Sequence, residues 1–235
     1  MSRKPESRSE FDAYKDNYRE VVDESVGFAG MSVDYFARVK VNYLLDIASA
    51  HFGDARSVSA LDIGCGIGLS HKLLVPRLGE LAGVDVSSGC IETARQENPD
   101  VNYKLYEGTV LPWEDGRFDL VFASCVMHHV EPRQWGSFVD EMFRVLTSNG
   151  LAVIFEHNPL NPLTRRIVDK CPLDENAVLL RANKTISLFT DAGFNGILSR
   201  KILTIPTWGR WGRRADNVLG MLPLGAQYYV KGVKP

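Results

Sequence analysis

An α/β fold, with a parallel sheet covered by helices on both faces, is predicted for this chain by three observations. Short apolar runs alternate with helical patterns between residues 58 and 155. The run at 118–124 is apolar almost throughout, as a strand buried on both faces requires. A turn with three glycines, Gly64, Gly66 and Gly68, stands directly after the first run. Strands that alternate with helices build βαβ units, whose crossovers lay helices on both faces of the sheet.

The elements follow in order. The first ten residues are polar and predicted to fray. A helix is predicted over about 11–24 and a second over about 33–51, with Phe36, Val39, Tyr43, Leu44 and Ile47 on one face. Ser32 suits its N-cap, and Gly53 lies just past its end. Strands are predicted at 58–63, 81–86, 101–106, 118–124 and 151–155, and helices at 68–78, 88–97 and 133–146. Beyond 157 the alternation stalls in a Pro-rich, polar stretch to about 182, with a short helix at 163–170. A helix at 183–192 resumes it, and strands at 196–205 and 227–230 flank a long excursion. This reads as one domain: an N-terminal helical cap over 1–54, and an α/β core over 55–235 with insertions near 157–182 and 206–225.

The chain has 235 residues, 45% hydrophobic and 24% charged, ordinary for a globular domain with a sizeable core. No apolar run approaches the roughly 18 residues of a membrane span, and MSRKPESRSE carries no signal-peptide core. Cytoplasmic localisation is the expectation. The net charge of −2 hides an asymmetry: residues 196–235 hold seven Lys/Arg and one Asp, a local +6 against −8 elsewhere. Such a balance does not suit a dedicated nucleic-acid binder, which carries a broader basic face. Cys65, Cys90, Cys125 and Cys171 form no Cys-x-x-Cys, and no His cluster has zinc-ligand spacing, so reduced thiols and no metal are expected.

The richest segment is Leu61-Asp62-Ile63-Gly64-Cys65-Gly66-Ile67-Gly68. Glycines after a strand permit a tight turn and close approach of backbone to a ligand. The following helix start offers free N–H groups to an anion. Asp85, ending the second strand, is placed for a ribose diol. A dinucleotide fingerprint needs Gly-x-Gly-x-x-Gly, but here the third glycine is Gly68 and residue 69 is Leu. Asp62, directly before the turn, would repel a pyrophosphate and suit an ammonium group. The loop resembles the acid-x-Gly-x-Gly-x-Gly loop of class I S-adenosylmethionine-dependent methyltransferases. The segments Tyr106-Glu107-Gly108-Thr109-Val110-Leu111-Pro112-Trp113, Arg117-Phe118-Asp119-Leu120-Val121 and Met127-His128-His129-Val130 resemble that family's later motifs, in order. The stretches at 156–166 and 222–229 resemble those of a bacterial subgroup of it.

The resemblance implies a Rossmann-like seven-stranded sheet of order 3-2-1-4-5-7-6, with strand 7 antiparallel. It implies S-adenosylmethionine as cofactor and S-adenosylhomocysteine as product, held by Asp62, Gly64, Cys65, Gly66, Gly68, Asp85, Val86, Glu107, Gly108 and Cys125. Glu107 would receive the adenine amino group, though the family has Asp there. The N-terminal helices, with Tyr14, Tyr18, Phe28, Tyr35 and Phe36, would cover the cofactor.

Candidate bases for a hydroxyl acceptor are His128, His129 and His157, at the ends of the fourth and fifth strands; of the adjacent pair, one at most is expected to face the substrate. Ser124-Cys125-Val126-Met127 replaces the Asn/Asp-Pro-Pro-Tyr of many amino-methylating enzymes, so a small or lipid-linked acceptor, methylated at oxygen, leads. Trp208 and Trp211 among Arg210, Arg213 and Arg214 suggest peripheral membrane contact through 206–222. Two other readings stand beside it: a cofactor-binding regulatory or partner protein without turnover, and an NAD(P)-dependent oxidoreductase, which lacks its Tyr-x-x-x-Lys pair here. The acceptor's identity and the oligomeric state are not legible.

Overall fold

The computed structural model describes Glu20, Val21, Asp23 and residues 32–205, 210–220 and 224–235. Glu20, Val21 and Asp23 are helical, and the rest of the helix expected at 11–24 lies outside the described residues, as do Tyr14, Tyr18 and Phe28. Seven strands form one sheet: β1 (Ser59–Ile63), β2 (Glu80–Asp85), β3 (Asn102–Leu105), β4 (Phe118–Ser124), β5 (Leu146–His157), β6 (Asn195–Ile202) and β7 (Gln227–Val233). Their order is β3-β2-β1-β4-β5-β7-β6. β7 runs antiparallel to β5 and β6, while the pairings of β1 to β5 are parallel. This is the Rossmann-like sheet that the resemblance implies.

Seven α-helices are described: α1 (Val33–Phe52), α2 (His71–Leu74), α3 (Ser88–Glu97), α4 (Trp135–Val145), α5 (Pro162–Val168), α6 (Ala182–Asp191) and α7 (Arg210–Leu219). Period-two alternation along the strands divides the core. Ala60, Leu120, Phe122, Val153 and Phe155 face α1 and α3, packing on Leu44, Ile47, Ile91 and Ala94. Leu61, Val121, Ala123, Ala152 and Ile154 face α4 and α6, packing on Phe138, Met142 and Phe189. Each fully buried Leu, Val or Phe contributes about 1.5–3 kcal/mol, which makes strands buried on both faces the most stabilising part of the sheet.

Helix ends carry their expected caps. The Ser32 hydroxyl accepts from Tyr35 N–H in α1, and Gly53 at φ +82° closes that helix. The Asn161 side chain accepts from Leu163 and Thr164 N–H, with Pro162 beginning α5.

Three expectations are corrected. The helix predicted over 68–78 is only α2 and a following 3-10 turn at Val75–Arg77, because Pro76 has no N–H for a continuing ladder. β5 begins at Leu146, paired with Phe118, although residues 148–150 read as a terminating turn. The register jumps from Leu146 to Leu151 while β4 advances from Phe118 to Leu120, so residues 147–150 bulge, with Asn149 at φ +63°. The excursion after β6 contains α7, which is held by tertiary contacts. Buried Asp216 accepts from Leu203 and Thr204 N–H at 2.8 Å each and from the Tyr43 hydroxyl at 2.7 Å. Arg213 Nε donates to Asp46 at 2.9 Å, tying α7 to α1. Among the described residues no helix is long and apolar enough to cross a membrane.

Candidate active site

The carboxyl ends of β1, β2, β4 and β5 open into a cavity of about 1120 Å³, roofed by α1 through Tyr35, Phe36, Lys40 and Leu44. The strand order reverses between β1 and β4, and ligands in open α/β sheets bind at such a switch point.

One half of the cavity is built from backbone. β1 ends at Ile63, and the N–H groups of Gly64 and Cys65 both donate to Val84 O, at 2.8 and 3.0 Å. Gly64 sits at φ +72°, and a Cβ there would lie 2.5 Å from a Val126 methyl. The Gly66 N–H donates to Asp85 Oδ2 at 2.8 Å, and the Ser87 N–H to Oδ1 at 2.9 Å. Asp85 thus joins the loop to the start of α3 before any ligand arrives. Val86, Glu107 and Gly108 continue this wall, with Glu107 exposed and Tyr106 beside it. Gly68 does not line the cavity. It stands at φ +69°, and a Cβ there would lie 2.5 Å from the Tyr103 hydroxyl. Here the missing Cβ makes room for Tyr103 and Asn98.

Asp62 is 4% exposed, and burial raises its carboxyl above the ordinary range against the opposing pull of His71. His71 Nε2 stands 3.0 Å from Asp62 Oδ2, and His71 Nδ1 2.5 Å from the Tyr103 hydroxyl. The ring thus bridges the carboxylate and the phenol. Asp62 Oδ1, buried in the cavity wall, has no hydrogen-bond partner among the described residues.

The other half is built from charged side chains. β4 ends at Ser124; Cys125 follows at the left-handed φ of +59°, and then a 3-10 turn, Met127–His129. Glu156, at the end of β5 and 1% exposed, accepts from Val126 and Met127 N–H at 3.0 and 2.8 Å through Oε1. Its Oε2 lies 2.6 Å from His128 Nδ1. Asp174 Oδ1 lies 3.3 Å from His128 Nε2 and 3.4 Å from His129 Nε2. The His157 ring centre is 5.1 Å from that of His128.

Burial opposes charge on His128, but Glu156 and Asp174 on either side outweigh it and hold the imidazolium well above its usual range. The same pairing outweighs burial at Glu156 and Asp174 and lowers both. Burial and the charge on His128 push His129 down to about 3. At Cys125 burial resists ionisation, but Lys40, with its Nζ 3.4 Å from Sγ, and a hydrogen-bonded His157 bring the thiol down to about 7.

The structure therefore brings Asp62, Gly64, Cys65, Gly66, Asp85, Val86, Glu107, Gly108, Cys125, His128, His129 and His157 to one cavity. Both adjacent histidines line it, with ring centres 4.1 Å apart. Lys40, Asp174 and Gln227 are among the lining residues that escaped the sequence reading. Lys40 carried a signal, since it sits on the stripe of α1 between Phe36 and Leu44. Asp174 and Gln227, whose buried Oε1 has no partner, carried none.

Residues 61–154 match the family described as a methyltransferase domain. The chain is 31% identical over 102 residues to an uncharacterized methyltransferase of Synechocystis, covering 43% of this chain and 48% of that protein. It is 28% identical over 121 residues to a ubiquinone biosynthesis O-methyltransferase of Rickettsia bellii, covering 49% of each. The chain thus spans about half the length of these curated relatives. The solved structure of a SAM-dependent methyltransferase from Archaeoglobus fulgidus shares the fold, with a TM-score of 0.61 at 16% identity over 83% of this chain and 94% of that one. Residues 61–154 thus carry a methyltransferase domain, and the strand order and glycine loop around it resemble those of the class I S-adenosylmethionine-dependent methyltransferases.

Proposed function

We propose that this chain transfers a methyl group from S-adenosylmethionine to an oxygen atom of a small, lipid-linked acceptor, in the cytoplasm and as one methyltransferase domain. The observation that carries the cofactor is the unpartnered Asp62 Oδ1. A buried acceptor without a donor costs about 1–3 kcal/mol, and the ammonium group of the methionine moiety would supply one. Asp85 keeps lone pairs for a ribose diol, and Glu107 with Gly108 suits the adenine edge. Bound there, the cofactor supplies a methyl group already activated by its sulfonium. The chain's share is to place the acceptor oxygen in line with that methyl and to take its proton, worth up to about 7–11 kcal/mol for positioning and about 10²–10⁴-fold for the base. His128 already holds its proton between two carboxylates and His129 is pushed down to about 3, so that task falls to His157.

A lipid-linked acceptor is supported by the cavity mouth. Leu163 and Leu224 line it yet are 48% and 62% exposed, and Leu160 beside them is 51% exposed. On α7, Trp211 is 79% exposed with the Arg214 guanidinium over its ring, and Val218 is 69% exposed, a composition that suits a peripheral membrane contact. Trp208 lies outside the described residues. The relative named for ubiquinone biosynthesis acts in the chemistry of a lipid-linked ring, which agrees with this reading.

The test is thermal. S-adenosylhomocysteine at about 100 times its Kd adds about 2.7 kcal/mol, a Tm rise of about 5–11 °C for a chain of this size, while NAD gives none. No shift with either S-adenosylmethionine or S-adenosylhomocysteine at millimolar concentration ends the reading. Labelled methyl transfer to a hydroxylated quinol in vesicles then tests the acceptor class.

A further inference from the structure

The acceptor wall carries more nitrogen and carboxylate than proton transfer needs. Asp174 Oδ1 stands 3.3 Å from His128 Nε2 and 3.4 Å from His129 Nε2. Charge-assisted hydrogen bonds between such groups run at about 2.7–2.9 Å. Two atoms that share a metal at about 2.0–2.1 Å stand about 3.0–3.4 Å apart at octahedral or tetrahedral angles. The ligand atoms of His128, His157 and Asp174 all lie within 4.8 Å of one another. The 2.6 Å contact of His128 Nδ1 with Glu156 places a hydrogen on that nitrogen, which turns the opposite nitrogen towards the Asp174 carboxylate. Two lone pairs facing each other need a cation between them, a proton or a metal.

We propose that His128, His157 and Asp174 hold a divalent first-row transition metal, with Glu156 orienting His128 from outside the ligand set. Nitrogen with carboxylate oxygen suits zinc, iron(II), manganese or cobalt rather than calcium or magnesium. Charge agrees. With a metal in place of the proton on the Asp174 side of His128, the carboxylates of Glu156 and Asp174 leave −2, which a dication cancels. Glu156 is itself fixed by two backbone N–H groups, so the carboxylate–histidine–metal chain ends in rigid structure. Three protein ligands leave coordination positions open towards the cavity. Two adjacent oxygens, as on a vicinal dihydroxy ring, would fill them. This role rests on the methyl-transfer reading, although metal binding itself does not. With the metal bound, the acceptor hydroxyl would lose its proton to water, and its oxygen would bond the methyl carbon as the carbon–sulfur bond breaks and its electron pair returns to sulfur.

The test is cobalt(II) titration of chelator-treated protein, read by visible absorption, with S-adenosylhomocysteine calorimetry in parallel. One cobalt per chain is expected, with d–d bands and no sulfur-to-metal charge-transfer band, because the ligands are nitrogen and oxygen. Asp174→Asn and His157→Gln should each weaken cobalt binding at least tenfold while S-adenosylhomocysteine still binds, which also shows that the variants fold. Zinc should displace the cobalt. No absorption in the wild-type protein, bands unchanged in both variants, or a charge-transfer band lost in Cys125→Ser would each overturn the proposal. Homocysteine-product binding without cobalt binding removes the metal and leaves the methyltransferase reading; cobalt binding without product binding does the reverse.

Discussion

The two halves of the cavity hold their ligand-facing groups in opposite ways. Around Gly64, Gly66 and Asp85 the frame is backbone: N–H groups, positive-φ glycines and one carboxylate that accepts from two of those N–H groups. Around His128 the frame is charge: Glu156 and Asp174, both largely buried, hold one imidazolium between them. A backbone frame fails through shape and strain. A charged frame fails through protonation and desolvation. The halves should therefore answer differently to substitution and to pH.

The largest effect is expected in the charged half. Glu156→Gln leaves His128 with half of its compensation, and breaking a buried pair costs about 3–5 kcal/mol, a Tm fall of about 6–20 °C. A fall of under 3 °C in a scanning calorimeter would mean that the charge frame is not structural. The pair also sets a pH window. Glu156 is lowered in the fold, so its contribution is whole above its ordinary 4.5 and is lost as pH falls through the lowered value. His128 is raised, so its contribution is whole below its ordinary 6.5 and is lost as pH rises through the raised value. Between those ordinary values both contribute fully. Melting curves of the wild type should decline on both sides of that window, and those of Glu156→Gln should be flatter on the alkaline side. Parallel curves would contradict the assignment.

Next comes the backbone half. Gly64→Ala puts a Cβ 2.5 Å from Val126 at a φ of +72°. Left-handed strain of about 1–2 kcal/mol and overpacking of about 1–3 kcal/mol add up, and they fall on the loop that meets the cofactor. S-adenosylhomocysteine affinity should drop at least thirtyfold by calorimetry, with no change in the pH dependence of Tm. Undiminished affinity would show that this loop does not set the cofactor site. Asp85→Asn is milder. Its amide keeps one acceptor oxygen and loses a charged partner worth about 1.5–3 kcal/mol, so affinity should fall about tenfold or more; an unchanged Kd would move the ribose contact elsewhere.

The smallest effect on stability belongs to the surface of α7. Arg214 is exposed and stacks on an exposed Trp211, so Arg214→Ala should change stability by under about 0.5 kcal/mol. Its effect is expected in flotation with anionic vesicles, where binding should fall with salt and fall again in this variant. Arg213 is unsuited to that experiment, being buried against Asp46. Vesicle binding that ignores Arg214 would remove α7 from the membrane reading.

The same contrast explains what could be read from the sequence. The backbone half follows from one continuous loop and from acids at strand ends, so Asp62, Gly64, Gly66, Asp85 and Glu107 were nameable from local pattern. His128, His129 and His157 were nameable for the same reason, as residues just past β4 and β5. Asp174 was not, because it lies in a 3-10 turn beyond α5 and reaches the histidines only through the tertiary fold. The positive φ of Gly68 was foreseeable, but the room it leaves for Tyr103 depends on where β3 lies. α7 was hidden because Gly212 lies within it and Gly209 and Gly220 flank it. Its anchor, Asp216, acts through three distant backbone groups and a tyrosine hydroxyl.

Asp216 also has a consequence for how the chain is made. Its carboxylate joins the Tyr43 hydroxyl of α1 to the segment after β6, so the roof of the cavity is fastened by a residue near the far end of the sequence. A chain emerging from the ribosome can assemble β1 to β5 and the glycine loop well before that clasp exists. Contacts of such sequence separation are the last to form and the slowest to find. During synthesis the cavity is therefore a floor before it has a fastened lid, and α1 is clasped over the site only once Asp216 has emerged.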